Sequence, residues 1–374
     1  MSASTSKLFE PIKLGRIQLK HRVALAPLTR IRNDENHVAL PMKQKYYADR
    51  GSVPGTLVIA EATGIATGQE GAQGLPSFVT DAQVASWKKV ISAVHDNGSF
   101  WFQQLWDQGR AADPEYTASR GGKYKSSSAV QLDGKDVAPE EATEEDIQQV
   151  IKDYTETAKR VIAAGGDGVE IHGAHGYLLD QFLSDKVNQR TDKWGGSIEN
   201  RARLVLEVVR SVSAAIGADR VGLRLSPYAS FQGAEKSDFK ELNLYILEQL
   251  KTTLDTPLAY LSLVEAVGDP AKFFESEDNR TLDFLLEAWN NFSPVIVAGG
   301  YTPESAQKAV DDHYAKWDVI IAFGRLFLAN PDLVFRIQHG IELNQYNRST
   351  FYLPASEEGY NDYPFSPEYL KASA

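Results

Sequence analysis

Hydrophobic residues gather along this chain in eight short runs, at 23–29, 56–63, 99–106, 168–173, 221–227, 258–265, 294–300 and 319–325. Each has the length of a β-strand, is mostly β-branched or aromatic, and is bordered by turn residues. Between the runs, apolar positions recur every three to four residues, the spacing that gives a helix one buried face. The clearest predicted helices cover 81–97, 143–164, 200–216, 239–255, 281–291, 303–312 and 331–340. Thr143 with Asp146 reads as a capping box, and Thr302 before Pro303 sets a cap residue ahead of a proline at the first helical position.

Strict alternation of strand and helix implies a parallel sheet, because parallel neighbours need a crossover between them. Eight such units predict an α/β fold closed into a (β/α)8 TIM barrel, with an open doubly wound sheet as the alternative. No GxGxxG follows any of the runs, which weakens the dinucleotide-binding form of the open sheet. One domain over 1–374 suffices. Three regions stand outside the bare barrel: a short hairpin at 6–22, placed to plug its N-terminal end; a long polar loop at 110–141; and a tail after Leu343 carrying Phe351, Tyr352, Tyr360 and Tyr363. Loops that long on a barrel belong over its active face.

Composition narrows the function. The 39 basic and 50 acidic residues leave a formal charge of −11, which argues against nucleic acid as a partner. No apolar stretch approaches the roughly 20 residues that span a bilayer, and the first residues lack the apolar core of a secretory signal. The expectation is a cytoplasmic protein away from membranes. With no cysteine, disulfides, thiolate metal sites and cysteine nucleophiles are excluded.

Barrel chemistry gathers where strands end. The runs deliver there Pro27 and Thr29, Glu61 and Ala62, Gln104 and Trp106, then His172 with His175 and Tyr177 just beyond. The fifth run carries Arg224 in otherwise apolar surroundings, and the last two end in Gly299-Gly300 and Gly324-Arg325. Glycine-rich ends on the seventh and eighth strands let backbone amides approach a phosphate, with Arg325 adding a charge-assisted bond; tight turns alone are the other reading. Arg224 must meet an anion, either an acidic neighbour or a ligand. His172 and His175 lack the carboxylate or cysteine cluster that would complete a metal site, and HxxH in a strand-end loop is a weaker metal signal than HxxxH on a helix.

One string, Ile-His-Gly-Ala-His-Gly-Tyr-Leu-Leu-Asp-Gln-Phe-Leu-Ser from 171 to 184, resumes as Asn-Gln-Arg-Thr-Asp-Lys-Trp-Gly-Gly-Ser-Ile-Glu-Asn-Arg from 188 to 201. With Ala-Pro-Leu-Thr at 26–29, Gln-Leu-Trp at 104–106, Phe-Gly-Arg at 323–325, Asn-Pro-Asp-Leu at 330–333 and Phe-Tyr at 351–352, it closely resembles the old yellow enzyme family over nearly the whole chain. These are FMN-dependent NAD(P)H oxidoreductases, ene-reductases on a (β/α)8 barrel.

The resemblance implies non-covalent FMN across the barrel mouth. Its phosphate would sit at Gly299, Gly300, Gly324 and Arg325. Pro27, Thr29, Ala62 and Gln104 would line the ring, and Arg224 would face N1 and O2. Gln103 is the other candidate beside Gln104, and period-two alternation with Trp106 selects Gln104. His172 and His175 would hold the oxygen of an α,β-unsaturated carbonyl or nitro substrate, much as an oxyanion hole does. Hydride from reduced N5 would reach the β carbon, and Tyr177, needing no shifted pKa, would protonate the α carbon. Trp106 and Tyr352 would bind substrate, with Phe273 or Phe274 as further wall residues. Other readings are a flavin-dependent nitroester or quinone reductase, an isomerase, or a non-redox barrel lyase acting on a phosphorylated substrate.

Overall fold

The computed structural model describes residues 5–266 and 280–373. Its strands, in chain order, are β1 (Ile12–Leu14), β2 (Ile17–Leu19), β3 (Val23–Leu25), β4 (Leu57–Gly64), β5 (Phe100–Trp106), β6 (Lys125–Ser126), β7 (Glu140–Glu141), β8 (Gly168–Gly173), β9 (Val221–Leu225), β10 (Tyr260–Val264), β11 (Val295–Ala298) and β12 (Val319–Phe323). Eight of them close into a parallel barrel in the order β3-β4-β5-β8-β9-β10-β11-β12, with β12 returning to β3. These are the eight runs predicted above, most of them trimmed by one or more residues where the chain turns out of the sheet. The expected Phe273 and Phe274 lie outside the described residues.

Alternation divides each strand between two cores. Val23, Val58, Leu105, Val169, Ile171, Leu223, Val297 and Ile321 face outward into the layer shared with the helices. Inside, Leu57, Ile59, Phe102, Tyr260, Ile296 and Ile320 meet Ile12, Leu14 and Leu19 of the β1–β2 hairpin, which plugs the end where the strands begin. Gly15 turns that hairpin at φ +53°, so close to the backbone that a Cβ would meet the Asp219 carbonyl oxygen at 2.0 Å.

The predicted helices appear at Asp81–His95, Glu144–Ala163, Ile198–Ile216, Phe239–Thr253, Asp283–Trp289, Pro303–Lys308 and Leu333–His339. The Thr143–Asp146 capping box forms in both directions, and Thr302 caps its helix on Ser305. Helix Met42–Arg50 escapes the hydrophobic pattern because its buried face is Lys43, Tyr46, Tyr47 and Arg50. Its position requires the buried Lys43–Glu61 ion pair at 2.6 Å. A bulge supplies Glu61: one extra residue on β4 separates the pairs Ala60–Gln103 and Thr63–Leu105, and Ala62 then turns inward onto Trp106.

The long loop after β5 is more ordered than a polar loop suggests, with helix Pro114–Ser119 and the small β6–β7 ladder. The tail is tied down by buried arginines. Arg30 donates to Gly359 O at 2.7 Å, and Arg32 to the carbonyls of Thr350 and Phe351 at 3.1 and 2.9 Å. That brings Phe351 and Tyr352 to the barrel mouth beside Pro27 and Thr29. No helix among the described residues is long and apolar enough to cross a membrane.

Candidate active site

The strand registers set the polar residues of the barrel interior in one belt. Gln104 stands opposite Glu170, and His172 opposite Arg224. Gln104 faces inward and its amide donates to Glu170 Oε1 at 2.6 Å. Gln103 faces the helices and donates to Thr63 Oγ1 at 2.6 Å, as alternation with Trp106 requires. Glu170 was readable from the same alternation, two residues before His172, but its apolar run concealed it. It is the acidic neighbour of Arg224: burial raises its pKa, and the Arg224 charge opposes that rise. Even so, Arg224 Nε is buried without a hydrogen-bond partner, and burial lowers the guanidinium's own pKa.

Arg224 opens onto a cavity of about 370 Å³ at the C-terminal ends of β9 to β12 and β3. Pro27, Gly299, Gly300, Gly324 and Arg325 line it, so with Arg224 itself six of the nine sequence-predicted cofactor positions share one space. Gly299 has φ +154°, and a Cβ there would meet Glu265 Cβ at 2.6 Å. Only glycine lets the chain pass between cavity and Glu265. Arg325 is exposed at the cavity edge, with Nη1 3.5 Å from the Tyr346 hydroxyl. Thr29 lies in an adjoining depression that shares Pro27 and Arg325 and adds Tyr352, which is 61% exposed.

The second half of the site is a cluster of rings. Trp106 and His172 are parallel within 5°, with centroids 6.1 Å apart. Tyr177 meets Trp106 at 4.4 Å and His172 at 5.1 Å, and His175 meets His172 at 5.7 Å. Ala62 packs against Trp106 in the same group. His172 Nδ1 and Trp106 Nε1 are buried without partners. Burial, with the neighbouring Arg224 charge, holds His172 well below the ordinary histidine range and His175 down at about 3. Both are therefore neutral hydrogen-bonding groups near neutral pH. Burial pushes Tyr177 up to about 12, with Tyr352 adding to the rise, so its hydroxyl keeps its proton.

Two residues that hold this turn in place, Gln232 and Lys236, carried no sequence signal. His175 adopts φ +58° and Gly176 φ +74°. The His175 amide donates to Ser226 Oγ at 2.9 Å, and the Gly176 amide to Asp180 Oδ2 at 2.8 Å. Asp180 is in turn paired with buried Lys236 at 2.8 Å. Gln232, from the loop after β9, donates to the His175 carbonyl at 2.9 Å. Lys236 and Gln232 are distant in sequence and have no local pattern; only the fold brings them under His175.

A planar ring with an anionic tail suits this arrangement. The unpartnered Arg224 Nε supplies positive charge at the inner wall, glycine backbone lines the outer wall, and Arg325 is available at the rim. The residues present thus fit a flavin mononucleotide, with neutral donors and a protonated tyrosine grouped alongside its cavity.

Comparison with known proteins agrees. Residues 7–344 match the family described as NADH:flavin oxidoreductase / NADH oxidase. The chain is 47% identical to aldehyde reductase FrzD of Cladobotryum sp, covering 98% of this chain and 97% of that one. It is 48% identical to chanoclavine-I aldehyde reductase fgaOx3 of Penicillium roqueforti (strain FM164), covering 98% of each. A relative 43% identical over 98% of this chain and 97% of its own, easA of Claviceps purpurea (strain 20.1), is described as a probable inactive dehydrogenase. Among solved structures, Old Yellow Enzyme from Pichia sp. AKU4542 superposes with TM-score 0.88 at 39% identity, over 97% of this chain and 94% of that one. Morphinone reductase in complex with tetrahydroNAD gives 0.85 at 35%, over 96% and 97%.

Proposed function

The chain belongs to the old yellow enzyme, or NADH:flavin oxidoreductase / NADH oxidase, family, and we propose that it reduces the activated C=C bond of α,β-unsaturated carbonyl or nitro compounds with electrons from NAD(P)H. The observation that carries this reading is the grouping of a protonated tyrosine and two neutral histidines, within ring contact, at the mouth of a barrel whose cavity is lined by glycine backbone and a buried arginine whose Nε has no hydrogen-bond partner.

FMN would be held by Arg224 at its ring, by Gly299, Gly300, Gly324 and Arg325 at its phosphate, and by Pro27, Thr29, Ala62 and Gln104 along its edge. When bound, it supplies the hydride that adds to the β carbon. His172 and His175 would donate hydrogen bonds to the substrate oxygen as negative charge grows there, which neutral imidazoles can do without a change of protonation. Tyr177 would give its proton to the α carbon. A high phenol pKa is no obstacle, because an enolate carbon is a strong base. Trp106 and Tyr352 would flank the substrate. The word aldehyde in the names of two relatives favours a carbonyl group as the activating substituent.

The test is optical. Purified protein should carry a yellow flavin spectrum, lose it on anaerobic addition of NADPH or NADH, and recover it on adding cyclohexenone. Colourless protein, or a reduced flavin that enones leave bleached, would overturn the proposal.

A further inference from the structure

Arg30 and Arg32 lie just beyond Pro27 and Thr29, where the chain leaves β3, and both are buried. Arg32 reaches into the tail loop 350–359 and donates to four of its carbonyls: Thr350 at 3.1 Å, Phe351 at 2.9 Å, Ser356 at 3.1 Å and Glu358 at 3.2 Å. Arg30 donates to the carbonyls of Phe351 and Gly359 at 3.1 and 2.7 Å. The Tyr360 ring lies 5.0 Å from the Arg30 guanidinium carbon and 4.8 Å from that of Arg32. The loop also closes on itself. Gly359 has φ +61°, and a Cβ there would collide with Thr350 Oγ1. Ala355 takes a left-handed φ of +48°, which a non-glycine residue holds only where its surroundings enforce it.

The Phe351 carbonyl oxygen is the atom both arginines share, and the next residue is Tyr352. Pro27, Leu28, Thr29 and Arg30 line the depression beside the main cavity, and so do Phe351 and Tyr352. Tyr352 is 61% exposed, so packing of its own side chain does little to hold it there. Its place is set through the backbone, by the grip on the residue before it. A planar guanidinium suits that task, because its donors form a rigid fork that fixes several acceptors at once.

Resting on the assignment of Tyr352 to the substrate wall, we propose that Arg30 and Arg32 are positioning residues for substrate size. They fix the Phe351 carbonyl, and with it Tyr352, against the segment that carries Thr29. The separation of these two segments then sets how bulky an enone the site admits.

Arg32→Lys keeps the charge and loses the fork. Tyr352→Ala removes the wall from an exposed position, where substitution leaves folding intact. The readout is the ratio of kcat/KM for cyclohexenone to that for carvone, a cyclohexenone with a bulky ring substituent. A partly unfolded preparation lowers both values together and leaves the ratio alone, so the ratio reports on the site. Arg32→Lys should lower it by about tenfold, the low end of what one carbon is worth in an apolar pocket. Arg30→Lys, which removes the other grip on the Phe351 carbonyl, should act in the same direction and serves where Arg32→Lys does not fold. Tyr352→Ala should lower the ratio at least as much, and adding an arginine substitution to it should change the ratio by no more than about twofold. An unchanged ratio in the folded arginine variant, or in Tyr352→Ala, overturns the proposal. So does a double variant in which the two effects multiply, because the arginine would then act other than through Tyr352. Wild-type protein whose reduced flavin neither enone reoxidises would instead defeat the underlying reaction, a result visible before any variant is made.

Discussion

His172 and Arg224 are register partners on β8 and β9, so a neutral imidazole and a guanidinium share the inner wall of the barrel. The arginine charge helps keep the histidine unprotonated, while the arginine's own Nε has no partner. A buried cation left like this is costly, and an anionic or polarised ligand edge lowers that cost. Arg224→Met should therefore weaken flavin binding by about ten- to a hundredfold, the loss of one charged hydrogen-bonding group. The apoprotein should keep most of its stability, because Glu170, already shifted toward its protonated form and bonded to Gln104, can take up a proton when Arg224 is gone. Titration of apoprotein with FMN and a thermal melt without it check both halves. Full flavin retention by the variant would contradict the role given to Arg224.

Tyr177→Phe removes a hydroxyl that sits in the ring cluster with Trp106 and His172 while leaving the ring itself. General acid catalysis contributes about 10²–10⁴-fold, so reoxidation by enones should fall by that factor. Reoxidation by quinones should barely change. Stopped-flow traces of the flavin absorbance read both. A phenylalanine variant that reduces enones at the wild-type rate would remove Tyr177 from the mechanism.

Much of this architecture was legible because it rests on local rules. Period-two and helical spacing located the barrel strands and most helices, and alternation from Trp106 distinguished Gln104 from Gln103. The rest rests on tertiary relations. Helix Met42–Arg50 was hidden because its buried face is polar and balanced by Glu61 from a bulge on β4. Lys236 and Gln232 support the His175 turn, the first through Asp180 and the second at the His175 carbonyl, from positions with no periodic or motif signal. Tyr177 illustrates both cases: sequence identified the phenol, whereas its rise to about 12 depends on burial beside residues far along the chain.

Gly299→Ala should remove flavin binding and destabilise the fold together. The backbone angle of +154° disfavours any side chain, and the added Cβ would lie 2.6 Å from Glu265 Cβ and 3.1 Å from its Cγ. Backbone strain of this kind costs ~1–3 kcal/mol. Glu265 cannot move easily, because its carboxylate accepts from Tyr301 and Tyr314 at 2.7 and 2.9 Å. Gly324→Ala meets only Leu28 Cδ2 at 3.1 Å, the end of a flexible side chain, and has no positive φ. It should cost less stability, so the ratio of the two melting shifts checks the argument; equal shifts would refute it.

Stability should fall on acidification through three buried histidines. His21 is held at about 4 by burial, His175 at about 3, and His172 well below its ordinary value, against an unperturbed 6.5. Below about pH 6.5 the unfolded chain protonates these rings while the folded chain does not, so the unfolded state binds more protons and folding stability drops as pH falls toward 4. Glu265, raised to about 7 by burial, works in the opposite sense: its folded form keeps a proton that the unfolded chain releases above about 4.5, so its contribution is lost as pH rises toward 7. Glu170, Asp107, Asp153 and Asp180, whose pKa values burial also raises, act in the same sense as Glu265, so the histidine contribution is read from a single substitution. The His21 ring accepts from the Val23 amide at 3.2 Å and lies 3.0 Å from Thr56 Oγ1, remote from the catalytic cluster. Each such histidine steepens the dependence by about 1.4 kcal/mol per pH unit, so His21→Gln should flatten the fall between about pH 6 and 4.5 while leaving enone reduction at pH 7 intact. Urea melts of wild type and variant across that range decide it, and parallel curves would show that His21 protonates in the folded protein.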